Sequence, residues 1–338
     1  MFLCFSTLAF MASQPLQPAG AKPSSQPVIT EPQQVQNSAA VQAYKLPLAN
    51  HSFTYYSSAD LNATQEQIER CVLVIHGTRR NALDYWQHMQ QAGQRAQTLN
   101  STLILAPQFS IQGDSLQRNA LYWDLNSAWK IGNLSSKDHS PRISSFRVID
   151  ALIESLSDQK RFPNLKKIVI VGHSAGGQFV QRYALGAHPH TNLPLVFVVA
   201  NPSSYAYLDA RRPLKNKPDQ IGLPTEKVPG YNHWKYGLEH LNAYMKEQSK
   251  EALIAQYPAK NVIYLVGEKD ILQDKNLDTT PMARLQGENR LQRGLNYYRY
   301  LTLFYGKSVH QFRIVPGVGH NHAQIFSSKE GLKAIFGP

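Results

Sequence analysis

Cysteine is nearly absent from this chain. Cys4 and Cys71 are the two in 338 residues, so no disulfide framework can hold the fold together and a stapled miniprotein is excluded. Charge is sparse as well, with Asp, Glu, Lys and Arg at 17% of the residues. Acids are the scarcer sign, 23 against 35 Lys and Arg, for a formal net charge of +12. The basic excess is scattered in pairs, Arg79-Arg80, Lys166-Lys167 and Arg211-Arg212, and prolines break up any basic helical face near Lys215 and Lys217. Without a basic stripe or a recognisable module, nucleic acid is not an expected partner. No apolar run reaches the roughly 18–20 residues that a membrane-spanning helix needs. No segment recurs at a fixed period. What is present is apolar mass, 42% hydrophobic and 10% aromatic residues, enough for a packed core and too much for a disordered chain.

Residues 1–12 read MFLCFSTLAFMA, and Ala19-Gly20-Ala21 follows as a small-residue cleavage pattern. A secretory signal over residues 1–21 is therefore expected, with export to the periplasm or medium and no integral membrane span once it is removed. No Lys or Arg precedes the apolar run, so either the start lies upstream or the signal is atypical. Residues 22–45, rich in Pro, Gln, Ser and Ala, read as a tether that cannot bury enough surface to fold. The folded domain is expected over residues 46–338.

From about residue 50 onward, strand and helix patterns alternate. Cys71-Val72-Leu73-Val74-Ile75 is a continuous apolar run, the pattern of a strand buried on both faces, with Cys71 as a buried thiol. Residues 102–106, 168–171, 195–199 and 262–266 repeat it, and 312–315 is a weaker sixth. Helical stretches are expected at 83–99, 146–156, 177–185 and, as one long helix, 284–304. Such alternation makes right-handed crossovers and a mostly parallel central sheet with helices on both faces. Sites in such sheets lie past the carboxyl ends of the strands.

The residues in those positions carry chemistry. After residues 168–171 comes Gly172-His173-Ser174-Ala175-Gly176-Gly177, a G-x-S-x-G sequence where a strand turns sharply into a helix. The turn lifts the Ser174 hydroxyl clear of the sheet, and the helix N-terminus favours developing negative charge. A serine nucleophile needs a base, and the base an orienting acid. Pro316-Gly317-Val318-Gly319-His320 ends the last strand and offers His320 as the base. His322 is the rival, expected to enter the last helix and face solvent, and a metal site made by this pair is not expected. Gly267-Glu268-Lys269-Asp270 follows the fifth strand and offers Asp270 as the acid. Asp274 and Asp278, further along, are expected to be solvated. His76-Gly77-Thr78 follows the first strand. The Thr78 amide, with that of Ala175, is the expected oxyanion hole, and His76 reads as a structural histidine that pins the loop.

Taken together, His76-Gly77, Gly172–Gly176, Gly267–Asp270 and Gly317–His320, in order at the ends of successive strands, resemble the α/β-hydrolase superfamily over nearly all of residues 50–338. Ser174, Asp270 and His320 match its triad position by position. The resemblance implies the α/β-hydrolase fold and serine-hydrolase chemistry through an acyl-enzyme, with no metal or organic cofactor. A serine at the nucleophile position argues against the superfamily's Asp-nucleophile enzymes. The expected activity is hydrolysis of a carboxylic ester, small or polymeric. An amidase or peptidase of the same fold is the alternative, and a catalytically silent binding protein the second. Two insertions interrupt the alternation, at about 108–145 and 201–257, and loops this long often cap a site. Their aromatics, Tyr122, Trp123, Trp129 and Tyr205 foremost, either line a substrate pocket or form cores of the caps themselves.

Overall fold

The structure is a computed structural model that describes residues 40–337 apart from 216 and 307. The expected signal segment and most of the tether lie outside the described residues. The six expected strands are present and two precede them. β1 (Gln42–Leu48) and β2 (His51–Ser57) form an antiparallel hairpin. They are followed by β3 (Arg70–Ile75), β4 (Thr102–Pro107), β5 (Lys167–His173), β6 (Leu195–Ala200), β7 (Asn261–Gly267) and β8 (Gln311–Val315). These make one eight-stranded sheet in the order β1-β2-β4-β3-β5-β6-β7-β8. β2 runs antiparallel to both neighbours, and every pairing from β4 to β8 is parallel. β1 begins at Gln42, inside the stretch expected to be tether up to residue 45. The hairpin eluded the apolar-run criterion because it lies at the sheet edge, where only alternate residues such as Phe53 and Tyr55 are buried.

The parallel strands alternate between two layers. Cys71, Leu73 and Ile75 face a core completed by α2 (Ser145–Leu156), α3 (Ala175–Gly186) and α4 (Arg290–Phe304). Val72 and Val74 face the other side, covered by α1 (Ala82–Arg95), α5 (His322–Ser327) and α6 (Lys329–Phe336). Each fully buried aliphatic in these layers contributes roughly 1.5–3 kcal/mol by leaving water. The helix expected at 284–304 is divided. A short turn over Pro281–Arg284 stops, Gly287 takes φ 140°, and Asn289 caps a new start by accepting from the Gln292 amide. A side-chain cap outside the helical φ/ψ region sets that boundary, and the apolar spacing does not show it.

Both insertions pack on the α2/α3 side. The first holds a small ladder between Ser110–Ile111 and Tyr122–Trp123 and a helical turn, Asn126–Trp129. The second pairs Arg212–Leu214 with Lys217–Gly222 and ends in the helix Lys250–Gln256.

Candidate active site

The turn from β5 into α3 places Ser174 at φ 59°, ψ −116°, a conformation that costs energy for a residue with a side chain. Close backbone contact imposes it. A Cβ on Gly172 would overlap the Gly176 carbonyl, and one on Gly176 would overlap the carbonyl of Ile75 at the end of β3. The Ser174 amide donates to the Ala200 carbonyl at 3.0 Å, which ties the turn to β6. The Ala175 amide lies in the first turn of α3, where N–H groups lack intrahelical partners. Among the described residues neither it nor the Thr78 amide donates to a protein acceptor. The Thr78 loop is held from outside: Asn126 Nδ2 donates to its carbonyl and hydroxyl at 3.2 and 3.1 Å, and Lys130 Nζ to the hydroxyl at 3.0 Å. His76 pins the same loop as expected, donating from Nδ1 to the Gly77 carbonyl at 2.9 Å and accepting the Phe109 amide at Nε2 at 3.0 Å.

His320 and Asp270 are brought together. His320 Nδ1 donates to Asp270 Oδ2 at 2.7 Å, with the carboxylate buried and the imidazole one-fifth exposed. Among the described residues His320 Nε2 has no hydrogen-bond partner in the protein, the Ser174 hydroxyl included. Catalytic hydrogen bonds commonly tighten only when substrate is present. The His320 ring lies 4.5 Å from that of His173, the residue before Ser174. The two loops are laced together. Glu268 Oε2 accepts the Gly317 amide at 2.7 Å, the Lys269 amide donates to Val318 at 2.8 Å, and Asn201 joins the Gly267 amide (2.9 Å) to the Gly319 carbonyl (3.3 Å).

Three expectations are corrected here. Asp274 is not simply solvated: it takes both Nη atoms of Arg290, at 2.9 and 3.1 Å, and the fully buried Arg290 also reaches Asp270 Oδ1 at 3.4 Å. Asp278 is nearly buried and accepts from Lys235 Nζ at 2.9 Å and Tyr236 Oη at 2.9 Å. Burial would raise its carboxyl, but Lys235 and these hydrogen bonds outweigh it and hold it at about 2. His322 does open α5, yet it faces inward because α5 packs on α1. Its ring stacks on Tyr85 at 4.0 Å, and its Nε2 lies 3.1 Å from His88 Nδ1 and 3.2 Å from Asp84 Oδ2. Asp84, His88 and His322 each bring a donor atom within 4.8 Å of the others, the one cluster of metal-ligand type among the described residues.

Of the two readings left open for the insertion aromatics, pocket wall or core, burial favours the core for three of the four. Trp123, Trp129 and Tyr205 are fully buried. Trp123 and Trp129 pack on Phe109, each with its indole N–H satisfied inside its own insertion, and Tyr205 stacks on Tyr297 of α4 at 4.5 Å. Tyr122 is half-buried and donates to Asp138 at 2.8 Å. The insertions use their rings as a core because each is too short to be stable without one. A large hollow of about 800 Å3, with Lys160, Pro163 and His190 in its wall, opens by the residues leading into β5 and β6, at the amino-terminal edge of the sheet and away from Ser174.

Burial also sets a pH dependence. Desolvation pulls His76 and His310 to about 4 and His173 well below the ordinary histidine value. All three are therefore neutral in the folded chain, while the unfolded chain protonates them near 6.5. Between about 4 and 6.5 the unfolded state binds more protons, so stability rises with pH there and is lost as pH falls below 6.5. The urea midpoint of unfolding is expected to drop steadily from pH 7 to pH 5. A flat midpoint over that interval would contradict the neutral assignment.

No protein-family model and no curated protein matches the chain. Solved structures do. A poly(aspartic acid) hydrolase from Sphingomonas sp. KT-1 superposes with a TM-score of 0.62 over 88% of this chain and 98% of its own, at 19% identity. A poly(3-hydroxybutyrate) depolymerase from Bordetella parapertussis gives 0.59 over 86% and 88%, at 23% identity. This chain has the α/β-hydrolase fold. Ser174, Asp270 and His320 lie just past the carboxyl ends of β5, β7 and β8.

Proposed function

We propose that this α/β-hydrolase is a serine hydrolase that cleaves a carboxylic ester through an acyl-enzyme on Ser174. His320 Nε2 takes the hydroxyl proton as Oγ bonds to the acyl carbon. Asp270 holds the proton on Nδ1 and stabilises the imidazolium that results. The amides of Thr78 and Ala175 receive the oxyanion. His320 then protonates the departing alkoxide, and a water, deprotonated by the same nitrogen, releases the acid and restores Ser174. The observation that carries this reading is the 2.7 Å His320–Asp270 hydrogen bond, because it sets the tautomer and leaves Nε2 as a base with no hydrogen-bond partner among the described residues. Export belongs to the same proposal, supported by the apolar residues 1–12 and the small residues behind them; no helix among the described residues is long and apolar enough to cross a membrane.

A fluorophosphonate probe and a matched panel of 4-nitrophenyl esters and 4-nitroanilides test it. Since the two solved neighbours are named for polymer substrates, the panel should include oligomeric esters. Labelling is expected in the wild type and absent in Ser174→Ala, with esters turned over faster than the matched anilides. Labelling that survives Ser174→Ala would overturn the nucleophile. Anilides outpacing esters would convert the reading to an amidase.

A further inference from the structure

Beside the elbow lies a second, smaller hollow of about 180 Å3, with Lys130, Gln178, Ser203, Lys235 and Asp278 in its wall. Two of these touch the groups described above. Gln178 sits one turn along α3, its amide donating to the Ser174 carbonyl at 3.0 Å, and Lys130 Nζ donates to the Thr78 hydroxyl at 3.0 Å. A group bound in this hollow would therefore lie against the loop and the helix that bear the two free amides.

The polar groups of the wall are unequally satisfied. Asp278 is engaged by Lys235, Tyr236 and Thr280. Two cations behind the wall, not part of it, are held by backbone: Arg182, fully buried, donates to the carbonyls of Gln178, Ser204 and Lys235 and to the Ser204 hydroxyl, and reaches no carboxylate among the described residues. Arg293 likewise donates to the carbonyls of Gly287, Ser203 and Asp278. Lys130 has no carboxylate within ion-pair range among the described residues, and the Thr78 hydroxyl engages only one of its three N–H donors. Burial, then Lys235 and Arg80, bring its ammonium down to about 8. Gln178 accepts from Ser204 at Oε1 and has no acceptor for its Nε2 among the described residues. The hollow thus holds unmet donors and an excess of positive charge, with its one carboxylate already engaged. A desolvated ammonium in that condition is costly until an acceptor arrives.

We propose that this hollow is a carboxylate subsite, in which Lys130 and Gln178 Nε2 receive an anionic group of the substrate. The preferred esters then carry a free carboxylate a few bonds from the scissile carbonyl. The proposal rests on the serine-hydrolase reading and narrows it to a substrate class. The volume fits: at about 30 Å3 per water of liquid, it takes a carboxylate with a short methylene chain and excludes a large ring system. The scattered surplus of Lys and Arg over the chain adds a long-range attraction for such anions.

The test compares 4-nitrophenyl hydrogen glutarate with its methyl ester, uncatalysed rates subtracted. Hydrogen bonds to charged groups suggest a preference for the acid of about tenfold or more in kcat/KM for the wild type. The ratio should fall to within about twofold of unity in Lys130→Met and survive in part in Lys130→Arg, since a neutral thioether removes the charge that an Arg keeps. No preference in the wild type would overturn the subsite, as would a Lys130→Met variant that slows both esters equally, which would leave Lys130 only as a prop for the Thr78 loop. Failure of the wild type to hydrolyse either ester would instead sink the serine-hydrolase reading. The subsite retains a separate readout in that case: glutarate should raise the melting temperature of the wild type and leave that of Lys130→Met unmoved, and equal shifts in both would overturn it.

Discussion

Ser174→Ala is expected to lower kcat/KM on a short 4-nitrophenyl ester by about five to six powers of ten, since the members of such a triad act as one unit. Stability should barely change. The Ser174 hydroxyl has no hydrogen-bond partner among the described residues to lose, and the elbow is shaped by Gly172 and Gly176 against neighbouring backbone and not by the hydroxyl. An alanine methyl fits a site that is 8% exposed. Residual turnover would come from the Thr78 and Ala175 amides acting on bound ester. Steady-state kinetics on protein purified free of contaminating esterase check this, with the urea midpoint measured beside them. A variant that keeps more than about one hundredth of the activity would remove Ser174 from the mechanism.

Asp270→Asn should cost roughly four powers of ten in kcat and leave KM nearly unchanged. An amide N–H in place of Oδ2 would face His320 Nδ1, and the imidazole would have to turn that nitrogen into an acceptor. The proton then sits on Nε2, where the base is needed. The fold should tolerate the change because Asp274 keeps Arg290 engaged through both Nη atoms. Asp274→Asn is the control: it loosens Arg290 and should cost less than about tenfold, as it acts on Asp270 only at second hand. Should Asp274→Asn prove the more damaging of the two, the acid would be wrongly placed.

Much of this architecture was legible because each strand from β3 to β7 is buried on both faces and so reads as an unbroken apolar run. The residues just past those runs were then the natural candidates, and Ser174, Asp270 and His320 do lie along one edge of the sheet. The hairpin β1–β2 was hidden because an edge strand needs only every second residue apolar. Arg290 was hidden for a different reason. It meets Asp270 and Asp274 across separate elements, and nothing local to Asn289-Arg290-Leu291 distinguishes a fully buried guanidinium from a surface one. Lys130 and Gln178 share that obscurity, since their roles come from what the fold leaves unsatisfied around them. The inward turn of His322 depends on α5 lying against α1, a packing that the spacing from His320 does not reveal. The insertions left two readings open, a lined pocket or a core of their own, and burial decides for the core: Trp123 and Trp129 pack on Phe109, and Trp129 also lies against His76 of the Thr78 loop.

The lacing of the loops has a mechanical consequence. Asp270 and His320 ride on one body, the ends of β7 and β8, cross-tied through Glu268, Lys269 and Asn201. Ser174, Ala175 and Thr78 ride on another, the ends of β3 and β5, locked where Gly176 meets Ile75. The end of β6 is the coupling between them: Ala200 takes the Ser174 amide, and the next residue, Asn201, holds both loops of the other body. The unmade link, from His320 Nε2 to Ser174 Oγ, spans the joint between the two bodies. Closing the active centre is therefore a matter of how these two bodies sit across that single seam, which the end of β6 holds from both sides.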